Sequence, residues 1–145
     1  MAALAQKCVV GVDVERINGQ DCDLSIALSK QEKQHLSGMV PGERSLAILR
    51  IWTVKEAVAK LVGLGLSLDL TSFSVLPRED SLQVCFSLDF PFLLRKPRLF
   101  QARVCIGGDW YLLSLAIATH VGTRKKEKNG INGPLIRIPV REICI

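Results

Sequence analysis

Gly11-Val12-Asp13-Val14-Glu15, followed downstream by Trp52-Thr53-Val54-Lys55-Glu56-Ala57-Val58-Ala59-Lys60, carries the pattern on which the fold turns. The first stretch reads as a strand. Side chains on a strand alternate faces, so Asp13 and Glu15 point one way while Val10, Val12 and Val14 occupy the other face, where they can be buried. Two acids side by side on a half-buried strand repel, and such a pair is tolerable mainly where a cation or a basic partner offsets the charge. The second stretch reads as a helix, because Ala47, Ile51, Val54, Val58, Leu61 and Val62 recur at three- and four-residue spacing as an apolar seam. Trp52, Glu56 and Lys60 are four apart and share a face roughly opposite that seam. Taken alone, Glu56 and Lys60 are an ordinary exposed helix pair worth about 0.3–0.5 kcal/mol. Set beside the strand acids, Glu56 completes an oxygen cluster of the kind that suits a hard cation, magnesium better than zinc.

Working outward, Lys7 to Glu15 is the expected strand, residues 18 to 26 a polar connection containing Asn18, Gly19, Asp21 and Asp23, and Ser29 the start of a short helix. The long helix runs from about Glu43 to Val62 and stops at Gly63 and Gly65. Strands are expected at Ser72 to Leu76, Leu82 to Leu88, Leu99 to Ile106 and Trp110 to Thr119, with Gly107-Gly108-Asp109 a tight hairpin connection. This order predicts an α+β fold, an antiparallel sheet packed against a long helix. Residues 1–123 form the expected domain and 124–145 a basic linker and tail. Within the tail, Leu135 to Val140 reads as a short edge strand, since Pro139 lacks the N–H a central strand needs.

Composition narrows the function classes. A chain of 145 residues, 48% hydrophobic, supports one core plus a tail. Five cysteines at positions 8, 22, 85, 105 and 144 have no close pairs, so they read as reduced, mostly buried thiols rather than a disulfide framework or zinc site. No segment has the layout of a signal peptide, and the apolar run near Tyr111 to Val121 is too short to span a bilayer, so no membrane partner and a cytoplasmic location are the expectation. The net charge of +5 is concentrated in the tail, where six basic residues face two acids, so it reads as a solvated tail and no nucleic-acid partner is expected.

Three further side chains have competing readings. Lys55 falls at the edge of the apolar seam, where a lysine needs a partner or a ligand anion unless its stem snorkels to water. Glu32 fits a capping box in Ser29-Lys30-Gln31-Glu32, with serine and glutamate satisfying backbone amides. Trp52 is either core filling, the commoner case, or an aromatic wall for the acid face. His35 and His120 are isolated and read as structural or surface residues.

Gly11-Val12-Asp13-Val14-Glu15, then Ser29-Lys30-Gln31-Glu32, then Trp52-Thr53-Val54-Lys55-Glu56-Ala57 with Lys60 and Gly63-Leu64-Gly65-Leu66, resemble in order and separation the signature series of the 4'-phosphopantetheinyl transferase superfamily. The resemblance covers roughly residues 8 to 119, ending in the run from Trp110 to Ala118 that looks like the strand closing that fold's second half. It implies transfer of the phosphopantetheine arm of coenzyme A to a serine of an acyl or peptidyl carrier protein, with release of adenosine 3',5'-bisphosphate. Asp13, Glu15 and Glu56 are implied magnesium ligands, and Lys55 and Lys60 phosphate-facing cations. Glu32 is implied to lie near the metal and the attacking hydroxyl, and Glu32, Glu56 or a bound water could take the serine proton. The Asp13-x-Glu15 and Trp52-Thr53-x-Lys55-Glu56 forms are similar to the longer, surfactin-synthetase-activating class, whose chains carry two similar halves, and this chain matches only the second. The short class, holo-acyl-carrier-protein synthase, builds its sites between subunits. A homo-oligomer or a second half-like subunit is therefore expected, with a non-catalytic half that docks a carrier protein as the alternative.

Overall fold

The computed structural model describes residues 8–18, 24–77, 81–86, 97–119 and 135–144. Six strands form one sheet: β1 (Cys8–Arg16), β2 (Phe73–Pro77), β3 (Ser81–Phe86), β4 (Arg98–Ile106), β5 (Asp109–Thr119) and β6 (Leu135–Cys144), in the order β1-β5-β4-β6-β3-β2. Two helices, α1 (Lys30–Leu36) and α2 (Pro41–Val62), are accompanied by 3-10 turns at Ser25–Ala27, Gly65–Ser67 and Leu70–Ser72. The expected α+β layering is present. Pairing is antiparallel except between β4 and β6, which run parallel.

α2 begins at Pro41, whose missing N–H costs nothing in a first turn. It stops where Gly63 takes φ 76°, the left-handed conformation that glycine adopts without a Cβ penalty. The first turn of the helix, residues 41–44, is exposed; from Ile51 onward it is buried on most sides, at Ile51, Thr53, Val54, Lys55, Ala57, Val58, Ala59 and Leu61, and is more open along Trp52, Glu56 and Lys60. Along the second half of α2, the stripe read from the four-residue spacing is thus the side most open to solvent. Its other sides pack on Leu36, Phe73, Val75, Leu82, Val84, Leu99 and Ala116, each large apolar side chain contributing about 1.5–3 kcal/mol.

Gly11 is where α2 lies closest to β1. A Cβ there would stand 1.9 Å from the Ala57 carbonyl oxygen and 2.5 Å from the Leu61 amide nitrogen. The bare backbone lets helix and strand touch, and it sets Glu56 and Lys60 of the helix over Asp13 of the strand.

The hairpin of β4 and β5 pairs Ile106 with Asp109 across Gly107 and Gly108, both at positive φ (60° and 89°), as a two-residue turn of this type requires. Arg16 closes the end of β1 against this turn, its Nη2 donating to Asp109 Oδ1 at 2.6 Å.

The reading of the tail strand needs correction. β6 is ten residues long and lies inside the sheet, between β4 and β3, rather than at an edge. Its first half pairs with β3, Leu135 opposite Cys85 through Pro139 opposite Ser81, and its second half with β4, Val140 opposite Gln101 through Cys144 opposite Cys105. Pro139 falls where the ladder passes from one neighbour to the other, which is how an internal strand accommodates the lost donor. Gly19, Asp21, Cys22, Asp23, Leu88, His120 and the 124–134 linker lie outside the described residues. Cys8, Cys85 and Cys105 are free but half-buried rather than buried. No described helix is long and apolar enough to cross a membrane.

Candidate active site

β1 supplies the first acids. Asp13 is 6% exposed, on the face of the strand turned to α2, and its Oδ1 accepts a hydrogen bond from Lys60 Nζ at 2.6 Å. Its Oδ2 is buried without a partner, as is Oε1 of Glu56. A buried carboxylate oxygen lacking a donor carries a desolvation cost that a native fold seldom tolerates without a reason. Burial foremost, then the charge of Asp13, pushes the Glu56 carboxyl above its ordinary value of 4.5; Lys60 opposes the shift and Glu15 adds to it. The four side chains that the sequence spacing brought together therefore share one electrostatic environment.

Glu15 is held slightly aside. The indole Nε1 of Trp52 donates to its Oε1 at 3.4 Å. Trp52 is half-buried on the acid face and not core filling, contrary to the commoner reading. Among the described residues, no three acidic, histidine or cysteine side chains stand together at ligating distance as placed. The donor set nevertheless fits a hard divalent cation in kind: oxygen ligands throughout, two with orphaned buried oxygens, and one half-exposed lysine beside them.

Two expected site residues lie elsewhere. Lys55 is completely buried, and its Nζ donates to the carbonyls of Ala27 at 2.8 Å, Leu70 at 2.6 Å and Phe73 at 3.0 Å while pairing with Glu32 Oε2 at 2.8 Å. An ammonium has three protons, so four oxygens leave none for a phosphate. The phosphate-facing reading of Lys55 is corrected to a structural one. Burial drives its pKa below the ordinary lysine value, with Glu32 acting against that shift.

Glu32 is likewise fully buried. It completes the capping box, with Oε2 accepting from the Ser29 amide at 2.6 Å while the Glu32 amide donates to Ser29 Oγ at 3.3 Å, and its Oε1 accepts from the Val75 amide at 2.6 Å. The cap reading holds and the catalytic reading of Glu32 is withdrawn. The pair clamps α1, α2 and β2 together behind the site.

A polar cluster between α2 and the sheet escaped the sequence reading. Thr53, Gln101 and Ser114 are at most 2% exposed and bond to one another, Ser114 Oγ to Thr53 Oγ1 at 2.9 Å and Gln101 Nε2 to both hydroxyls at 3.0–3.1 Å. Their signal in sequence was slight: a single polar residue, Ser114, inside the apolar run of β5, and Gln101 between apolar neighbours on β4.

The sequence model of the 4'-phosphopantetheinyl transferase superfamily matches residues 9–108, more than half of the chain, and the chain belongs to that superfamily. It is 41% identical over 75 residues to a 4'-phosphopantetheinyl transferase of Bacillus pumilus, covering 49% of this chain and 31% of that protein. It is 32% identical over 72 residues to a 4'-phosphopantetheinyl transferase of Bacillus subtilis, covering 49% and 32%. The matches thus span about a third of the length of these curated relatives.

Proposed function

We propose that the chain carries the metal-holding half of a magnesium-dependent transferase that moves the 4'-phosphopantetheine arm of coenzyme A to a carrier-protein serine. The observation that supports this most is the pair of unpartnered buried oxygens on Asp13 and Glu56, set on the two elements the family signature spans. Asp13, Glu15 and Glu56 are the residues that would hold magnesium. When bound, the ion neutralises charge developing on the pyrophosphate oxygens during in-line substitution.

The chain's own residues divide the remaining work. Lys60, 44% exposed at its side chain, keeps a cation at the mouth of the site, and with Lys55 sealed it is the one lysine of the pair able to meet a phosphate. Of the proton acceptors left open by the sequence, Glu32 is enclosed. That leaves Glu56 or a bound water to take the serine proton.

A homo-oligomer or a second half-like subunit completes the cleft in this reading. The sheet face turned away from α2 supports it: Val10, Val14, Leu113, Leu115 and Ile117 are half-exposed there and Phe100 is 40% exposed, with no described helix over them. Half-exposed apolar side chains of this kind are found at interfaces, although Val12, Ala102 and Val104 on the same face are buried.

Incubating the purified chain with coenzyme A, magnesium and an apo carrier protein tests the proposal. The mass gain of the arm on the carrier is expected, together with a sizing profile above that of one chain. The second reading, a non-catalytic half that docks carrier protein, is favoured by Glu15 being turned to Trp52. Carrier binding without mass gain would select it.

A further inference from the structure

We infer that Gln101, Ser114 and Thr53 are positioning residues that fix where α2 sits on the sheet, and hence where Glu56 and Lys60 stand over Asp13. This inference rests on the acid site proposed above. Asp13 on β1, Ser114 on β5 and Gln101 on β4 are consecutive partners across three strands, so all three lie in one row on the helix-facing side. At the Asp13 end the row meets α2 through Lys60, and at the Ser114 and Gln101 end through Thr53. Thr53, Glu56 and Lys60 follow at three and four residues, along one side of the helix.

The surroundings are otherwise apolar, with Leu99, Leu112, Ala116, Val54 and Ala57 all buried nearby on the same elements. Apolar contacts tolerate sliding and rotation because they have no direction. Hydrogen bonds do not.

Every donor of the cluster has an acceptor. The Thr53 hydroxyl donates to the Arg50 carbonyl at 3.3 Å and the Ser114 hydroxyl to Thr53. The Gln101 amide shares its two protons among the Arg50 carbonyl, Thr53 and Ser114, while its oxygen accepts from Arg50 Nε at 3.3 Å. A satisfied network in a dry interface holds one arrangement and penalises its neighbours, because any slip of the helix strands buried polar groups.

The test uses the whole chain, with Thr53→Val and Ser114→Ala as the altered forms and Thr53→Ser as the conservative one. Two readouts are recorded: Mn2+ affinity by electron paramagnetic resonance, and the indole N–H resonance of Trp52 by NMR, which reports its bond to Glu15 and is assigned by its persistence in Trp110→Phe. Val84→Ala, a core variant on β3, which β6 separates from the β4 strand of Gln101, controls for lost stability. Thr53→Val and Ser114→Ala should weaken Mn2+ binding about tenfold and shift the Trp52 resonance. Thr53→Ser should restore both, and Val84→Ala should lower the melting temperature while moving neither. Melting temperatures that fall with both readouts unchanged in the cluster variants would overturn the inference. If the parent chain binds no Mn2+, the acid-site proposal fails on that arm, and the Trp52 resonance alone still decides whether the cluster sets the helix. Should Thr53→Val not fold, Ser114→Ala gives the same decision.

Discussion

Two lysines on α2 each hold a carboxylate at short range, Lys55 with Glu32 at 2.8 Å and Lys60 with Asp13 at 2.6 Å, yet the two regions serve different ends. Behind the helix, both side chains of the first pair are sealed from water, three backbone carbonyls complete the ammonium's shell, and two backbone amides complete the carboxylate's. At the front, Lys60 is 44% exposed and Asp13 keeps an oxygen with no donor, as Glu56 does beside it. An ion pair alone does not distinguish structure from function. What separates these two is whether their hydrogen-bonding capacity is exhausted: the saturated pair can only hold the fold, while the unsaturated one retains capacity for a ligand.

The largest effect that would sharpen this contrast lies in the sealed pair. Lys55→Ala strands the Glu32 charge in the interior and should cost about 3–5 kcal/mol in denaturant unfolding. The apolar double replacement Lys55→Met with Glu32→Leu should recover part of the loss. A Lys55→Ala chain with parental stability and impaired coenzyme A binding would break the comparison by returning Lys55 to the site.

Next in size is Gly11→Ala, whose Cβ would meet the Ala57 carbonyl at 1.9 Å. The helix must retreat from β1, at a cost of about 3 kcal/mol, the upper end for overpacking. Loss of divalent-ion affinity should accompany it, because Glu56 moves away from Asp13. Unchanged thermal stability would show that the close approach is not needed.

This is also where the limit of the sequence is plainest. The capping box of Ser29 and Glu32 and the stripe of Trp52, Glu56 and Lys60 were legible because they depend on spacing within one helix. The role of Lys55 was not, since its acceptors are carbonyls at 27, 70 and 73, brought in by the tertiary fold and carried by main chain that no side-chain pattern records. The internal place of β6 was hidden for a related reason: a proline signals an edge unless the strand changes partners at that residue. Gln101 and Ser114 sit in strands with apolar residues on both faces, so alternation could not show that these two point inward, and Thr53 lies on a helix beside them.

A smaller effect is expected from Glu56→Gln. The folded chain holds the Glu56 proton more tightly than the unfolded chain does, because burial and the charges of Asp13 and Glu15 raise its pKa above 4.5. The stability that this proton confers is fully present below the ordinary value and lost as pH rises through the raised one. In metal-free buffer the variant, which cannot ionise there, should therefore gain melting temperature relative to the parent as pH climbs from about 4.5 toward neutrality. A difference that stays flat with pH would place Glu56 outside the acid cluster.

The smallest effect belongs to Arg16→Ala. Its bond to Asp109 is solvated, with side chains 57% and 45% exposed, so denaturant unfolding of the variant should not be separable from that of the parent.

The most direct trial of the front pair is a calorimetric titration of Mg2+ into the whole chain and into Asp13→Asn, with melting temperatures recorded for both. The parent should bind the ion and Asp13→Asn should lose at least about tenfold in affinity while remaining folded. Equal affinity in the two chains, or no binding by a well-folded parent, would contradict the assignment of Asp13, Glu15 and Glu56 as the metal-holding acids.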